Sequence, residues 1–405
     1  MTSLIASVKA AHARHRRRHT PSGHRFALAD AVDFLNPAHW DALTAGASIF
    51  LQRPYLRLLE EGGPANMAQR YALIYEGDTP VAAVAAQSVH VDGARLLKGS
   101  PSGGAALARK ALVAAVQQWQ ERLLVCGNLL SWGQHGVAMA PGADPTATWS
   151  AVAEALYRLR RADRLHGETD FAMVKDIPAA HLEHAGALRT FSYRRVDTDP
   201  DMVLRIPPDW RTHEDYLASL NAKYRKGVRQ LQRDVEKAGC TVEPLRITAA
   251  DTDALHGLYL QVHQRAPLRL FTLPEDFQAG LAGAFGEGFR CTVIRQSGRL
   301  VGFVTTLRDG DTAVGYHIGF DRALSEEVPL YFRLLQAAVA DAVALGCRRL
   351  SLGRTALEPK AKLGARPEPL AVWVRHRVPA LNLLVRTLLG TLEFDEAPDR
   401  NPFKD

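Results

Sequence analysis

The chain has 405 residues, of which 47% are hydrophobic and 23% charged, and its formal net charge at pH 7 is +7. This balance is that of a folded globular protein and excludes an intrinsically disordered chain. The length exceeds the size at which one hydrophobic core usually stops growing, so the sequence predicts two domains. The charge is unevenly placed, which favours a local anion site over a nucleic-acid surface.

The cysteines and the apolar runs indicate the compartment. The cysteines have no Cys-x-x-Cys pair and no histidine nearby at ligand spacing, a pattern that disfavours disulfides and a zinc site. No run approaches the roughly 20 apolar residues that span a bilayer. We therefore expect a cytoplasmic protein without a metal site. The four cysteines are Cys126, Cys240, Cys291 and Cys347.

The first elements predicted along the chain are two strands. The segments YALIYEG and VAAVAAQSV, between Tyr71 and Val91, read as strands and are joined by the turn residues 77–80, which predicts a hairpin. The pattern then predicts a helix from Gly104 to Glu121, a strand from Leu123 to Cys126, a glycine-rich loop, a helix from Thr148 to Arg161 and the strand FAMVKDI.

The second half repeats this order. It predicts a strand at Met202–Ile206, long helices, a strand at Phe289–Arg295, the strands LVGFVTTL and TAVGYHIGF, a helix and the strand RRLSL. The last helix is well delimited, because Pro329 suits a first turn and Gly346 a left-handed end. An α/β protein of two related halves with mixed sheets (α+β) is expected, and we place the boundary near residue 190.

Both ends of the chain differ from the rest. Residues 1–25 form a predicted basic, flexible tail, with contact to lipid or nucleic acid as the alternative. Residues 379–405 contain a predicted amphipathic helix that either docks on the protein or lies peripherally on the inner membrane. The tail contains Arg14, Arg16, Arg17 and Arg18, and the apolar face of the helix contains Leu381, Leu384, Val385, Leu388 and Leu392.

A basic stretch from Tyr216 to Gly239 is predicted to be one amphipathic helix. Its apolar residues recur at steps of three, four and seven, and no acid occurs between Asn221 and Arg233. Cations without acidic partners repel one another, so a bound phosphate or carboxylate would explain them, while a solvated face is the alternative. The candidate anion-binding residues here are Lys223, Arg225, Lys226 and Arg229, with Arg233 beside them.

Several motifs together carry a family resemblance over residues 200–380. The run LNAKYRKGVRQLQRDVEKAG, the strands LVGFVTTL and GYHIGF, and the segment SLGRTALEPKAKLGA occur in one order. They resemble the acetyltransferase-like family of cellulose and peptidoglycan biosynthesis, a branch of the GNAT superfamily distantly related to the Fem-type aminoacyl transferases. The resemblance implies tandem GNAT-like domains, here residues 26–190 and 191–378, and transfer of an acyl group from a thioester or aminoacyl ester to an amine.

Catalytic candidates follow from the resemblance and from the chemistry. GNAT proteins hold the acyl carbonyl beside splayed central strands, and the similar positions here are 302–306 and 314–319. Tyr316 and His317 lie on the second of these strands with their side chains on opposite faces, so only one of them is expected to face the cleft. His317 is a candidate general base or a packed side chain, and Tyr331 a candidate acid for the leaving thiolate or a core residue.

Further anion-binding candidates follow the last predicted strand. Arg354 and Lys360 resemble the family's Gly-Arg and Lys-x-x-x-Gly elements, whose cations hold phosphate or carboxylate groups, and plain surface charges are the alternative. An arginine fork suits such groups.

The expected donor loop departs from the GNAT pattern. GNAT proteins hold the pyrophosphate of coenzyme A on a glycine-rich loop before a helix. The corresponding segment ALSEEVPLY has no glycine and carries Glu326 and Glu327. The loop CGNLLSWGQHGVAMAPG of the first half is a possible substitute or a simple connection.

The leading hypothesis is an N-acyltransferase that uses acyl-CoA as co-substrate, has no tightly bound cofactor, and acts on the amine of a lipid, such as a sphingoid long-chain base, or of a cell-envelope precursor. Aminoacyl transfer to a peptidoglycan precursor and a binding module without catalysis are the alternatives. Nucleic acid is not an expected partner.

Overall fold

Thirteen strands in the described part of the chain form one mixed sheet. The structure, a computed structural model, describes residues 20–92, 120–266, 269–383, 398 and 400–404. Along the sheet the strands follow the order β1-β2-β3-β4-β6-β13-β7-β12-β11-β10-β9-β8, and β5 pairs with β3. The strands are β1 (Arg25–Ala29), β2 (Met67–Glu76), β3 (Thr79–Asp92), β4 (Gln120–Cys126), β5 (Val137–Met139), β6 (Phe171–Pro178), β7 (Arg194–Arg205), β8 (Cys240–Pro244), β9 (Phe289–Gln296), β10 (Arg299–Asp309), β11 (Thr312–Phe320), β12 (Arg349–Ser351) and β13 (Arg366–His376).

Helices cover both faces of this sheet. The long helix of each half connects two parallel strands: α3 connects β4 to β6, and α9 connects β11 to β12. The α-helices of the described residues are α1 (Pro37–Thr44), α2 (Arg53–Gly62), α3 (Pro145–Ala162), α4 (Leu182–Ala185), α5 (His213–Ser219), α6 (Ala222–Lys237), α7 (Thr252–His263), α8 (Phe277–Phe285), α9 (Leu330–Ala344) and α10 (Leu357–Lys362).

The two halves of the chain repeat one topology. In the first half (β1–β6, α1–α4), β2, β3 and β4 are antiparallel neighbours and β6 is parallel to β4. In the second half (β7–β13, α5–α10), β9, β10 and β11 are antiparallel and β12 is parallel to β11. Strand β13 joins the halves by pairing with β6 and β7. The predicted α/β class with a duplicated plan is confirmed.

One hydrophobic core is shared by both halves. Trp40 and Tyr55 of the first half lie in the same buried cluster as Phe277, Phe303 and Tyr316 of the second. A second cluster lies under α5, α6 and α9, and a third lies under α3. The sheet and the shared cluster therefore hold the halves together through apolar contact.

Most predicted elements are present. The hairpin, the helices α3 and α9 and the strands at 123–126, 171–177 and 289–320 match the prediction, and Gly346 has φ 70° just beyond α9. The predicted helix at Gly104–Glu121 is wrong at its end, because β4 begins at Gln120. Its residues up to 119, tail residues 1–19 and C-terminal residues 384–397 lie outside the described residues.

The predicted basic helix is two helices. Leu220 is extended, with ψ 145°, and ends α5. Asn221 then caps α6, because its side chain accepts a hydrogen bond from the backbone N–H of Tyr224. The apolar periodicity continues across the break, which is why the sequence indicated a single helix. Among the described residues, no helix is long and apolar enough to cross a membrane.

Candidate active site at the junction of the halves

Strands β11 and β12 separate at the middle of the sheet. They pair only from Thr312 to Val314 and from Arg349 to Ser351. Beyond these residues β11 continues along β10, whereas the chain after β12 turns to β7, where Leu352 N–H donates to Met202 O at 2.9 Å. The two strands therefore form the sides of an opening, called here the β11–β12 opening.

A β-bulge lies on the β11 side of this opening. Val304 pairs with Ile318 and Thr306 with Gly315, so Tyr316 and His317 share the place opposite Thr305. At a bulge the alternation of side chains between faces is lost. The rings of Tyr316 and His317 are accordingly neighbours, with centroids 4.0 Å apart. The prediction that they lie on opposite faces is wrong for this reason.

Tyr316 is fixed by a hydroxyl from the first half of the chain. Its Oη lies 2.7 Å from the Oη of Tyr55, to which Asn128 Nδ2 donates at 2.8 Å. The three groups form a buried chain of hydrogen bonds across the two halves. Burial raises the pKa of Tyr316 well above its ordinary value, so the phenol is neutral at physiological pH.

His317 is held next to Tyr316 as a neutral imidazole. Its Nδ1 lies 2.9 Å from Gln278 Nε2, and because an amide nitrogen can only donate, Nδ1 accepts and Nε2 carries the ring proton. Desolvation lowers the pKa of His317 to about 3. An imidazole with so acidic a conjugate acid is a weak base, which suits hydrogen bonding better than removal of an ammonium proton.

Tyr331 lies apart from this pair. It stands in the first turn of α9 and packs against the cluster under α6 and α9, with its ring centroid 5.9 Å from that of Phe320. Tyr316 belongs to the cluster shared by the halves, on the α7 and α8 face. Burial raises the pKa of Tyr331 to about 12. The structure does not bring Tyr331 together with Tyr316 and His317.

The β12 side of the opening receives a tryptophan from the first half. Trp132 Nε1 donates to Ser351 Oγ at 2.5 Å. Gly353 has φ 78°, and a Cβ atom there would lie 3.1 Å from the indole ring of Trp132. Glycine at 353 therefore provides both the backbone conformation and the space for the indole.

A buried ion cluster lies beside Trp132. Asp176 is fully buried with φ 59°, accepts from Gly133 N–H at 3.0 Å, and forms ion pairs with Lys175 and Arg354. Burial would raise the pKa of Asp176, but the two cations outweigh it and hold the pKa below its ordinary value. Arg354 is not wholly enclosed: its side chain is 23% exposed and its Nε has no hydrogen-bond partner.

Lys360 lies close to Arg354, because it binds the carbonyl group of the preceding residue, Gly353. It is 4% exposed and its Nζ donates to Gly353 O at 3.1 Å, while Gly353 N–H donates to Asp201 at 2.9 Å. Burial lowers the pKa of Lys360 to about 8 and raises that of Asp201. Three cations, Lys175, Arg354 and Lys360, thus surround two carboxyl groups, and Lys360 is a buried charge rather than a surface one.

The cations of α6 lie elsewhere. Arg229 pairs with Glu214 of α5, so the acid that the local sequence lacks comes from the preceding helix. The Arg225 guanidinium donates to Leu220 O at 3.1 Å and thereby covers the end of α5. Lys223 and Lys226 are exposed on a helix that packs against α5, α9 and β8. The structure therefore separates these four candidates from Arg354 and Lys360.

The two possible donor loops differ. The run Gln134–Ala138 of the first half enters β5, which pairs with β3, and α3 is capped by the Asp144 carboxylate. A carboxylate at this place repels phosphate, so this loop does not fit a pyrophosphate. Helix α9 begins after Pro329 without a side-chain cap. Nearby, Arg322 Nε is buried without a partner, although Glu326 and Glu327 are exposed on the same segment.

Sequence reasoning missed four residues of this junction: Tyr55, Trp132, Asp176 and Asp201. One signal was present, because the pair Lys175-Asp176 interrupts an otherwise apolar strand. A charged pair inside a buried strand needs partners, and these come from distant positions. No local pattern singles out Tyr55 or Trp132. Among the described residues no group of His, Cys, Asp and Glu side chains could hold a metal ion.

Comparisons with known proteins agree with this geometry. Residues 222–361 match the family model of the acetyltransferase (GNAT) domain. A tandem GNAT protein from the clavulanic acid biosynthesis pathway superposes with a TM-score of 0.51 and 14% identity, over 88% of this chain and 99% of its own. FemX superposes with a TM-score of 0.52 and 9% identity, over 87% and 98%. At these identities the likeness shows the fold alone.

No curated protein sequence matches the chain. The family model covers the strands and helices that build the β11–β12 opening, from α6 to α10. The chain therefore has the fold of the tandem GNAT proteins, and its residues 222–361 are similar to the acetyltransferase (GNAT) domain.

Proposed function

We propose that the protein is an N-acyltransferase that moves an acyl group from an acyl-thioester, acyl-CoA, to the amine of a lipid or cell-envelope precursor. The observation that carries this proposal is the β11–β12 opening with its bulge at Tyr316 and His317, inside the residues that match the GNAT domain. GNAT proteins hold the acyl carbonyl beside such separated strands.

The reaction requires removal of a proton from the amine, hydrogen-bond donors for the carbonyl oxygen, and a proton for the leaving thiolate. The amine lone pair attacks the thioester carbonyl and the C–S bond breaks, while water accepts the proton that the amine loses and supplies the proton that the leaving thiolate takes. In the proposal, the Nε2–H of His317 and the hydroxyl of Tyr316 hydrogen-bond at the carbonyl end. Because Tyr331 lies apart from this pair, the proposal gives it no part in the transfer. Burial keeps the phenol of Tyr316 protonated, which is the form a hydrogen-bond donor needs.

Arg354 is the proposed contact for an anionic group of a substrate. Its side chain is 23% exposed and its buried Nε is unpartnered, while a terminal guanidinium nitrogen is anchored on Asp176. Lys360, whose pKa is about 8, keeps the surroundings positive and is neutral in part near physiological pH. The α9 N-terminus beside Arg322 is the better of the two places for the donor's phosphates, since it has no cap.

The test is release of free thiol from acyl-CoAs of increasing chain length with a panel of amines that includes a sphingoid base. Tyr316→Phe should lower kcat/KM by about 100-fold, the usual contribution of a positioned proton donor. Tyr157→Phe, at a tyrosine that is 44% exposed, is the matched control and should leave the rate unchanged. No free thiol with any pair of substrates would overturn the proposal.

The fold likeness to FemX favours a second candidate, aminoacyl transfer from a charged tRNA to a peptidoglycan precursor. Labelling of a muropeptide that depends on charged tRNA, with no thiol release from acyl-CoA, would select it. The acids beside α9 favour a third, a binding module without catalysis. Calorimetry distinguishes the binding module from the acyl-CoA-dependent enzyme, because the binding module should bind neither coenzyme A nor an acyl-CoA.

A cytoplasmic location with peripheral contact at the inner membrane belongs to the same proposal. It would bring the enzyme to a lipid amine. Flotation of the purified full chain with anionic vesicles, and its absence with neutral ones, would support this placement.

A further inference from the structure

A second cavity lies at the other end of the second half. It has a volume of about 1090 Å³ and lies where β9 begins and β10 ends. Arg308 of its wall pairs with Ala313 at the start of β11, whereas the β11–β12 opening begins only beyond Val314, toward the far end of that strand. The cavity is thus separate from the candidate active site.

Three arginines line this cavity: Arg246, Arg290 and Arg308. Among the described residues none of them forms an ion pair. Arg308 Nε donates to Gly310 O at 3.2 Å, which leaves its terminal nitrogens for other partners. The Nε of Arg290 is buried without any hydrogen-bond partner. A buried guanidinium N–H without a partner is costly, and a bound acceptor would remove that cost.

Two acids line the cavity with the three arginines, and one of them, Asp341, attracts Arg290 electrostatically. Asp341, from α9, lies at the wall and is only 6% exposed. Its carboxyl group already accepts from Thr292 Oγ1 at 3.0 Å and from Thr306 Oγ1 at 3.4 Å. Burial raises the pKa of Asp341 to about 6 and the charge of Arg290 opposes this rise, so most of the carboxyl is ionised at pH 7 and one buried negative charge lies beside three arginines. Glu287 is the other lining acid, and it is exposed.

Apolar groups complete the wall. Leu245, Ile247 and Leu345 line the cavity together with small residues of α8. Ligand pockets commonly combine an apolar lining with a few convergent polar groups, and this volume lies just above their usual range of about 300–1,000 Å³. The lining therefore suits a molecule with both an anionic group and an apolar part.

We propose that this cavity binds a small organic anion, whose phosphate or carboxylate group lies on Arg290 and Arg308 and whose apolar part lies against Leu245 and Ile247. Guanidinium groups bind both kinds of anion through pairs of charge-assisted hydrogen bonds. The site is additional to the acyl-transfer reaction, and its occupant is neither the acyl donor nor the amine.

The experiment is calorimetry on the full chain with glycerol 3-phosphate, inorganic phosphate and succinate as probes. Binding of the phosphate probes alone identifies a phosphate ligand, and binding of succinate alone a carboxylate. Arg290→Gln and Arg308→Gln should each weaken binding about tenfold or more, because each removes charge-assisted hydrogen bonds. Arg308→Gln alters an exposed side chain, so it keeps the test valid if Arg290→Gln fails to fold.

Arg211→Gln is the matched control, since it removes the same charge from an exposed residue outside the cavity. It should bind the probes as the unaltered protein does. The proposal is overturned if no probe binds, or if Arg211→Gln weakens binding as much as the cavity variants do. Binding is measured without turnover, so these outcomes are independent of the acyl-transfer assay.

Discussion

The two halves of the molecule have the same order of strands and helices, but the N-termini of their long helices, α3 and α9, differ. In the first half, Asp144 caps α3 by accepting from Thr146 N–H at 2.8 Å and Ala147 N–H at 3.3 Å. In the second half, α9 starts at Leu330 without a side-chain cap. A helix N-terminus attracts one anion, and a protein carboxylate already occupies that of α3. The comparison teaches that repeated topology does not imply repeated chemistry.

The openings beside these helices differ as well. In the first half, β4 ends at Cys126, and Asp176 with its cations fills the space along β6. In the second half, β11 and the chain after β12 both continue, and the Trp132 side chain of the first half contacts the β12 side at Ser351 and Gly353. The first half thus contributes structural parts to an opening whose candidate reactive side chains belong to the second half.

The largest effect is expected where an ion pair joins the halves. Arg354→Gln leaves Asp176 buried with one cation fewer and should lower the free energy of unfolding by about 3–5 kcal/mol. The control Arg195→Gln breaks a pair with Asp197 whose side chains are 40% and 71% exposed, and should cost about 0.2–1 kcal/mol. Urea denaturation measures both. Equal losses of unfolding free energy in the two variants would mean that the ion pair between Arg354 and Asp176 does not hold the halves together.

A smaller loss of unfolding free energy is expected when the contact of Trp132 with Gly353 is disturbed. Gly353→Ala meets both a positive φ and the indole ring, and should cost about 2–4 kcal/mol. Gly346→Ala has a similar φ of 70° but open space, so it should cost only about 1 kcal/mol. Denaturation of the two variants isolates the tryptophan contact. No difference between them would show that Trp132 moves aside freely.

The histidines of the two halves give a pH test. Burial lowers the pKa of both His135 and His317, the latter to about 3. A depressed pKa contributes stability above the unfolded value of about 6.5, and this stability is lost as the pH falls toward 3, by up to about 1.4 kcal/mol per pH unit.

His317→Gln should therefore make the fall in stability between pH 6.5 and 3 less steep. The exposed His166→Gln is the control and should keep the original slope. Urea midpoints across this pH range measure the difference. An unchanged slope in His317→Gln would mean that the imidazole becomes protonated without cost, and the neutral state inferred for it would be wrong.

The smallest change in the free energy of unfolding is expected from removing the Asp144 cap of α3. Asp144→Ala removes the acceptor of two backbone N–H groups and should cost about 1 kcal/mol. Asp144→Asn retains a capping oxygen and should cost only a few tenths. A thermal unfolding series measures both. If Asp144→Ala is as stable as the parent, the difference between the α3 and α9 ends is not energetically important.

Local patterns were enough to predict most regular elements. The apolar runs on either side of the turn residues 77–80 predicted β2 and β3, and Pro329 with Gly346 delimited α9, because both signals are local in the sequence. The same patterns could not show the break at Asn221, since the apolar spacing passes through it. They also could not show the bulge at Tyr316, which depends on the register with β10.

The junction was beyond sequence reasoning for a different reason. Arg354 was a candidate cation, but its partner Asp176 is 178 residues away, and Tyr55 is 261 residues from Tyr316. Pairings at such distances depend on the assembled sheet. The positions of the domain boundaries and the roles of the site residues stay predictions, although the mixed sheet and its repeated order are confirmed.

The place of β13 in the sheet has a consequence for synthesis of the chain. β6 is covered on one side by β4 and on the other by β13, which is made from Arg366 onward. At 5–20 residues per second, a ribosome takes roughly 10 to 40 s to pass from β6 to β13. During that time the edge of β6 is open to pairing with other chains, and a product that terminates before Arg366 keeps it open.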